Sequence, residues 1–304
     1  MTFISEFVAI DWSGAKGPRQ QGIQLAHAPF GRSVPRRIDC PDHRYWGRDS
    51  VCDYLQTLAA TALQNETAPV LVGIDFAFAH PFLDVGSYYP GMADGPESPA
   101  ALWAVIDHLC ADDRHMYGGA MFATPPFADY YLSPRNHAAP LYQSRRRLCE
   151  IAARATGRSP SPTFKAIGAD NVATGSMAGM RMLHRLRAAL GDAVAIWPFD
   201  ALDDGTIGGT GCGLILTEIF PSLYFHAAGF NPAKGAARDP RFMSDALAVY
   251  DSDGVAADYA PQGQDVDEAD AIISAAALRY HSANQKMWQT TDAARQEGWI
   301  FGVV

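Results

Sequence analysis

Residues 6–17, EFVAIDWSGAKG, decide how the rest of the chain is read. An apolar run from Phe7 to Ile10 ends on one carboxylate, Asp11, and breaks at once into a small loop containing Gly14 and Gly17. A short apolar run closed by a turn signal reads as a buried strand, which sets Asp11 at a strand tip. GIQLAHA (22–28) follows at hairpin distance and RSVPRRI (32–38) is a weaker third candidate, so the N-terminal part reads as a strand meander.

Beyond it, SVCDYLQTLAATALQ (50–64) has helical spacing, with Val51, Leu55, Leu58 and Leu63 near one face, and APVLVGIDFAFAHP (68–81) returns to a continuous apolar run. Uninterrupted apolar strands such as VLVGI belong to a sheet covered on both faces, which points to an α/β layer architecture. Periodicity then fades. Residues 82–97 and 111–140 are rich in Gly, Pro, Tyr, Asp and Ala around one helical piece, SPAALWAVIDHLC (98–110), and 80–170 reads as an insertion or cap within a single domain spanning 1–304. Order resumes with an amphipathic helix (174–192), two strands (193–199 and 213–220) and a last helix (267–285) whose apolar face is Ala271, Ile272, Ala275 and Leu278.

The chain of 304 residues carries a formal net charge of -9, which argues against a protein that coats nucleic acid by bulk electrostatics. Its five cysteines are odd in number and never in a CxxC spacing, so neither a disulfide framework nor a zinc knuckle is suggested. The first residues show no basic n-region followed by an apolar h-region and no apolar segment reaches membrane-spanning length, so no export is expected and the expected setting is a reducing cytoplasm.

Asp11 is not alone in its placement. Asp75 closes VLVGID and Glu218 closes LILTE, so three acids cap three apolar runs, while Asp267 and Asp270 stand one turn apart at the start of the last helix. Strand ends are where open sheets form ligand sites. Like charges brought together raise one another's pKa unless a cation joins them, and an oxygen-only ligand set selects a hard ion such as Mg²⁺ or Mn²⁺. Two such ions activate water and stabilise the leaving oxygen in phosphodiester hydrolysis. Taken singly, each Asp is equally at home as a turn former or helix cap.

The blocks VAIDWSG, VGIDFAFAHP, GADNVATGSMAGMRMLHRL, AIWPFD, TEIFPS and DEADAIISAAAL together resemble the uncharacterised family of predicted RNase H-like nucleases, within the RNase H-like superfamily and distantly RuvC-like in the D-x-x-D-A helix. The resemblance implies an RNase H-like mixed sheet, an antiparallel three-strand meander plus parallel strands, flanked by helices. It also implies a divalent-metal site at Asp11, Asp75, Glu218 and Asp270 with Asp267 beside it, and a nucleic acid or nucleotide as substrate. Residues from about 80 to 165 match nothing in that pattern.

Phosphate-facing groups are sought in three places. Ser13, Gly14 and Lys16 form a nest-like loop or a plain turn; Thr174, Gly175 and Ser176 form a helix N-terminus that suits an anion or merely caps the helix. Between 131 and 165, seven basic residues, Arg145 and Arg146 among them, face one acid, Glu150, with Tyr130, Tyr131 and Tyr142 interleaved, a pattern suited to phosphates and stacked bases. GGTGCG (208–213) precedes a strand and so cannot be a dinucleotide loop. Two other functions stay open: an actin-like ATP-dependent phosphotransferase, with DDGTIGGTG (203–211) as a degenerate second phosphate loop, and a catalytically inactive binding protein of the same fold.

Overall fold

The computed structural model describes residues 3–168, 171–232 and 235–304; Ala169 and Asp170 of the GADNVATGSMAGM stretch lie outside them. Six strands form one mixed sheet: β1 (Glu6–Asp11), β2 (Gln24–Pro29), β3 (Arg36–Ile38), β4 (Val70–Ile74), β5 (Val194–Ile196) and β6 (Leu214–Glu218), in the order β3-β2-β1-β4-β6-β5. The first three pair antiparallel, and β1, β4, β6 and β5 run parallel. The third strand is short because Pro35, which has no amide to give to a ladder, stands just before it.

Side chains alternate across the sheet, and each face has its own core. Val8, Ile10, Val72, Ile74, Leu214 and Leu216 face α1 (Arg48–Gln64), α2 (Pro99–Leu109) and α4 (Ala173–Leu190). Phe7, Ala9, Leu71 and Ile215 face α5 (Pro221–Ala227), α6 (Pro240–Val249) and α7 (Asp265–Ser282). Short helices α3 (Leu148–Ala153) and α8 (Asp292–Glu297) pack together, and the chain after α8 bridges the end of β6 through Ile300 and Glu218. Among the described residues no helix is long and apolar enough to cross a membrane.

Within the apolar run 68–81 the strand is Val70–Ile74 and Asp75 closes it, as the pattern predicts. Past Asp75 the chain leaves the ladder, because side chains take its backbone groups: Ala77 N donates to Ser176 Oγ, Phe78 N to Glu218 Oε2, and Phe78 O accepts from Trp103 Nε1. The expectation that needs correction is Leu63 on the inner face of α1: it is exposed, and α1 turns Val51, Cys52, Leu55, Ala59 and Ala62 inward instead. The stretch 80–170 contributes Tyr88, Tyr89, Tyr131 and Phe164 to the same core as the first sheet face. Its Gly- and Pro-rich composition hides α3 and several single 3₁₀ turns.

Helix α7 is buried nearly all round. Ala271, Ile272, Ala275 and Leu278 are inside as the spacing predicts, and so are Ala269, Ile273, Ala276 and Ala277. Alanines let the helix lie close to the sheet, and Gly73 on β4 completes the approach: a Cβ there would stand 2.4 Å from Ile219 Cγ2 and 2.8 Å from Leu278 Cδ1. Gly73→Ala is therefore expected to push α7 outward and destabilise the protein by about 1–3 kcal/mol, the usual cost of overpacking. Urea denaturation of the two proteins measures it.

Candidate functional site

The parallel strands end together. Ile10 pairs with Ile74 and Ile74 with Glu218, so Asp11 and Asp75, each one residue further on, stand level at the same sheet edge. Alternation puts Asp11 in the row of Phe7 and Ala9, and Asp75 in the row of Leu71 and Gly73. Both rows face α7, whose first turns carry Asp267 and Asp270.

Electrostatics report the meeting. Burial pushes the Asp11 carboxyl well above its ordinary value, and Asp270, Asp75 and Asp267 push it further. Asp75 is raised by burial and then by Asp270 and Glu218. Asp270 is pushed up to about 7 by burial and then by Asp267, and its Oδ1 is buried with no hydrogen-bond partner. The charges of these acids and the orphaned oxygen suit a cation. Even so, among the described residues no three His, Cys, Asp or Glu side chains are grouped closely enough to hold a metal ion as they stand. The acids are neighbours without forming a closed coordination shell.

Glu218 departs from the expected ligand set. It is level with Ile74, whose side chain faces α4, so parity turns it away from α7. There Arg147 takes both its oxygens, Nη1 to Oε2 at 2.7 Å and Nη2 to Oε1 at 2.5 Å, and Arg147 Nε bonds Glu150 Oε1 at 2.9 Å. All three side chains are at most 4 % exposed. A carboxylate so engaged is a structural anchor. The i,i+3 spacing of Arg147 and Glu150 was the only sign of this group in the sequence.

Within the basic run, Arg145 and Arg146 are likewise engaged internally. Arg145 is buried, with Nε and Nη2 on Asp84 and further bonds to the carbonyls of Pro81, Ser87 and Tyr88. It holds a loop. Arg146 is half-buried and turned to Ser159 Oγ and the Pro160 carbonyl, while Tyr130 and Tyr131 are core residues. Clustered cations in a sequence look alike whether they face solvent or brace loops from within; only burial separates the cases.

Two of the anion candidates come together. Gly14 packs on the start of α4 so tightly that a Cβ would lie 2.4 Å from Gly175 N and from Thr174 Oγ1, and Trp12 Nε1 donates to Gly175 O at 3.1 Å. Arg48, fully buried, fixes this loop by donating to the carbonyls of Ser13 and Ala15 at 2.9 and 3.0 Å. Nothing in the sequence marked that arginine. Ser13 Oγ accepts from Ala15 N, Lys16 is exposed over the Tyr117 ring, and Ser176 is buried against Ala77, so none of the three side chains is aimed at a common ligand. Asn171, missed in the sequence, accepts from Thr174 N in the first turn of α4 through its Oδ1.

A cleft of about 400 Å³ opens between this loop, the start of α4 and the 158–161 segment. Asp75 reaches it, as do Trp12, Phe76, Phe220, Asn171 and the exposed Arg158, whose Nε donates to Ser222 Oγ. Asp11 and Asp270 do not line it, so Asp75 joins the acid cluster to the cleft. Residues 208–213 lead into the start of β6, at the opposite end of that strand from Glu218. Comparison of the chain with protein-family models, with curated proteins and with solved structures finds no match.

Two outcomes follow from the buried charges. Because Asp270 has a folded pKa near 7 against an ordinary 3.8, its charged form opposes folding fully above pH 7, progressively less down to about pH 4, and not at all below. In chelator, Asp270→Asn is expected to stabilise the protein at pH 8 on the order of 2 kcal/mol, below the full linkage value at roughly 1.4 kcal/mol per pKa unit, with the gain gone at about pH 3.5. Arg147→Met is expected to cost about 3–5 kcal/mol, since Glu218 and Glu150 would stay buried without their cation. Denaturant titration across pH checks both.

Proposed function

We propose that the protein is a divalent-metal-dependent phosphodiesterase acting on a single nucleotide or a single-stranded nucleic-acid end, on an RNase H-like scaffold. The observation that carries this reading is that Asp11 and Asp75 end adjacent parallel strands facing the start of α7, where Asp270 carries a buried oxygen with no hydrogen-bond partner and these acids, with Asp267, repel one another. The strand order supports the scaffold: an antiparallel three-strand meander followed by parallel strands, with the acids at the parallel strands' C-terminal ends.

Asp11, Asp75 and Asp270 are the residues that would hold Mg²⁺ or Mn²⁺; Glu218 is replaced in that set by its ion pair with Arg147. When bound, such an ion lowers the pKa of water and stabilises the leaving oxygen. Arg158 and Asn171 line the cleft together with Asp75 and would hold a phosphate, and Trp12, Phe76 and Phe220 would offer apolar surface to a base. A cleft of about 400 Å³ falls in the range of small-ligand sites, which suits a nucleotide-sized group better than a duplex.

Calorimetry with Mn²⁺ is expected to show saturable binding that Asp11→Asn and Asp75→Asn abolish. Turnover of single-stranded oligonucleotides or nucleotide esters with Mn²⁺ is expected to exceed that of duplexes and to fall at least ~100-fold in either variant, a loss of roughly 2.7 kcal/mol of transition-state stabilisation. Absence of metal binding in the wild type would overturn the reading.

A further inference from the structure

The opposite end of the sheet holds a second cavity, of about 550 Å³, within the usual range of small-molecule sites. It is lined by Phe7 at the start of β1, by Phe3 and Phe30, by Tyr250 after α6, and by Arg279 and Tyr280 near the end of α7. Phe3 and Phe30 are 65 % and 67 % exposed, with ring centroids 5.9 Å apart. Two large aromatic rings side by side in water are unusual unless something covers them.

Arg279 is the polar group that stands out in this apolar setting. Its residue is 7 % exposed, Nη1 donates to the carbonyls of Pro29 and Ser33 at 3.0 and 2.9 Å, and Nη2 is buried with no partner. A strut for the 29–33 turn needs only the Nη1 bonds. A buried guanidinium is costly without a counter-ion, and no carboxylate is hydrogen-bonded to Arg279: Asp251 and Asp253 pair with Arg32, and Asp253 acts on Arg279 only through space. The spare donor and the missing anion define what is lacking.

We infer that this cavity is a binding site for a small amphiphilic monocarboxylate, with the carboxylate on the Arg279 guanidinium and the apolar part against Phe7, Phe30 and Tyr250. A single negative charge suits the single buried cation. A phosphate dianion would need more donors and would meet Asp251 near the mouth. The site is independent of the acid cluster: Asp270 and Arg279 are nine residues apart on α7, about 14 Å along its axis.

The test uses decanoate as probe, with decanol and decyl phosphate as comparators, titrated calorimetrically into the full chain in EDTA so that metal binding plays no part. Saturable one-to-one decanoate binding is expected, with decanol and decyl phosphate each at least ~10-fold weaker. Arg279→Leu is expected to lose at least ~10-fold in decanoate affinity and to leave decanol unchanged. Because Arg279 is also a strut, Ala283→Trp provides a second variant: Ala283 is exposed and lines the cavity, so a bulky ring there blocks entry while the fold stands. No saturable binding, equal affinity for decanol, tighter binding of decyl phosphate, or an Ala283→Trp protein that binds decanoate like wild type would each overturn the assignment.

Discussion

The period-two alternation of side chains along parallel strands governs the candidate site. Parity sends Asp11 and Asp75 toward α7 and Glu218 toward α4, although all three close apolar runs at the same sheet edge. One set of acids is thereby crowded against two more on α7 and left repelling one another; the remaining acid is neutralised by Arg147. Gly73 lets this happen, because only a residue without Cβ allows α7 to approach β4 so closely.

The two electrostatic arrangements do different work. The Arg147 group satisfies its charges internally and welds β6, α3 and the C-terminal segment into one wall of the cleft. The acid cluster is left with like charges facing each other and an oxygen without a donor. Burial acts on both, yet it reinforces a matched pair and strains a set of like charges. A neutralised wall thus stands next to a strained acidic cluster that touches the cleft through Asp75.

Much of the layout was legible in the amino-acid sequence because it is written in short-range pattern. Apolar runs closed by turn residues mark β1, β4 and β6, and alanines at helical spacing mark α7. Asp267 and Asp270 are tied together by one helical turn alone. What could not be read was relational. The parity that separates Glu218 from Asp11 depends on strand register, which no local pattern specifies. Arg145 and Arg147 look like phosphate ligands until their burial is known, and Arg48 carries no sequence signal though it anchors the Ser13–Ala15 loop. The short helices α3, α5, α6 and α8 escaped for a related reason: too few turns to show a period.

At the far end of the chain, Glu297 accepts hydrogen bonds from the amides of Phe82, Leu83 and Leu148, and Phe301 N donates to Glu218 O. Segments some 150 to 215 residues apart are thus cross-linked by one carboxylate. One substitution at Glu297 would therefore loosen three separate backbone stretches at once, which gives the wall beside the cleft a single point of failure.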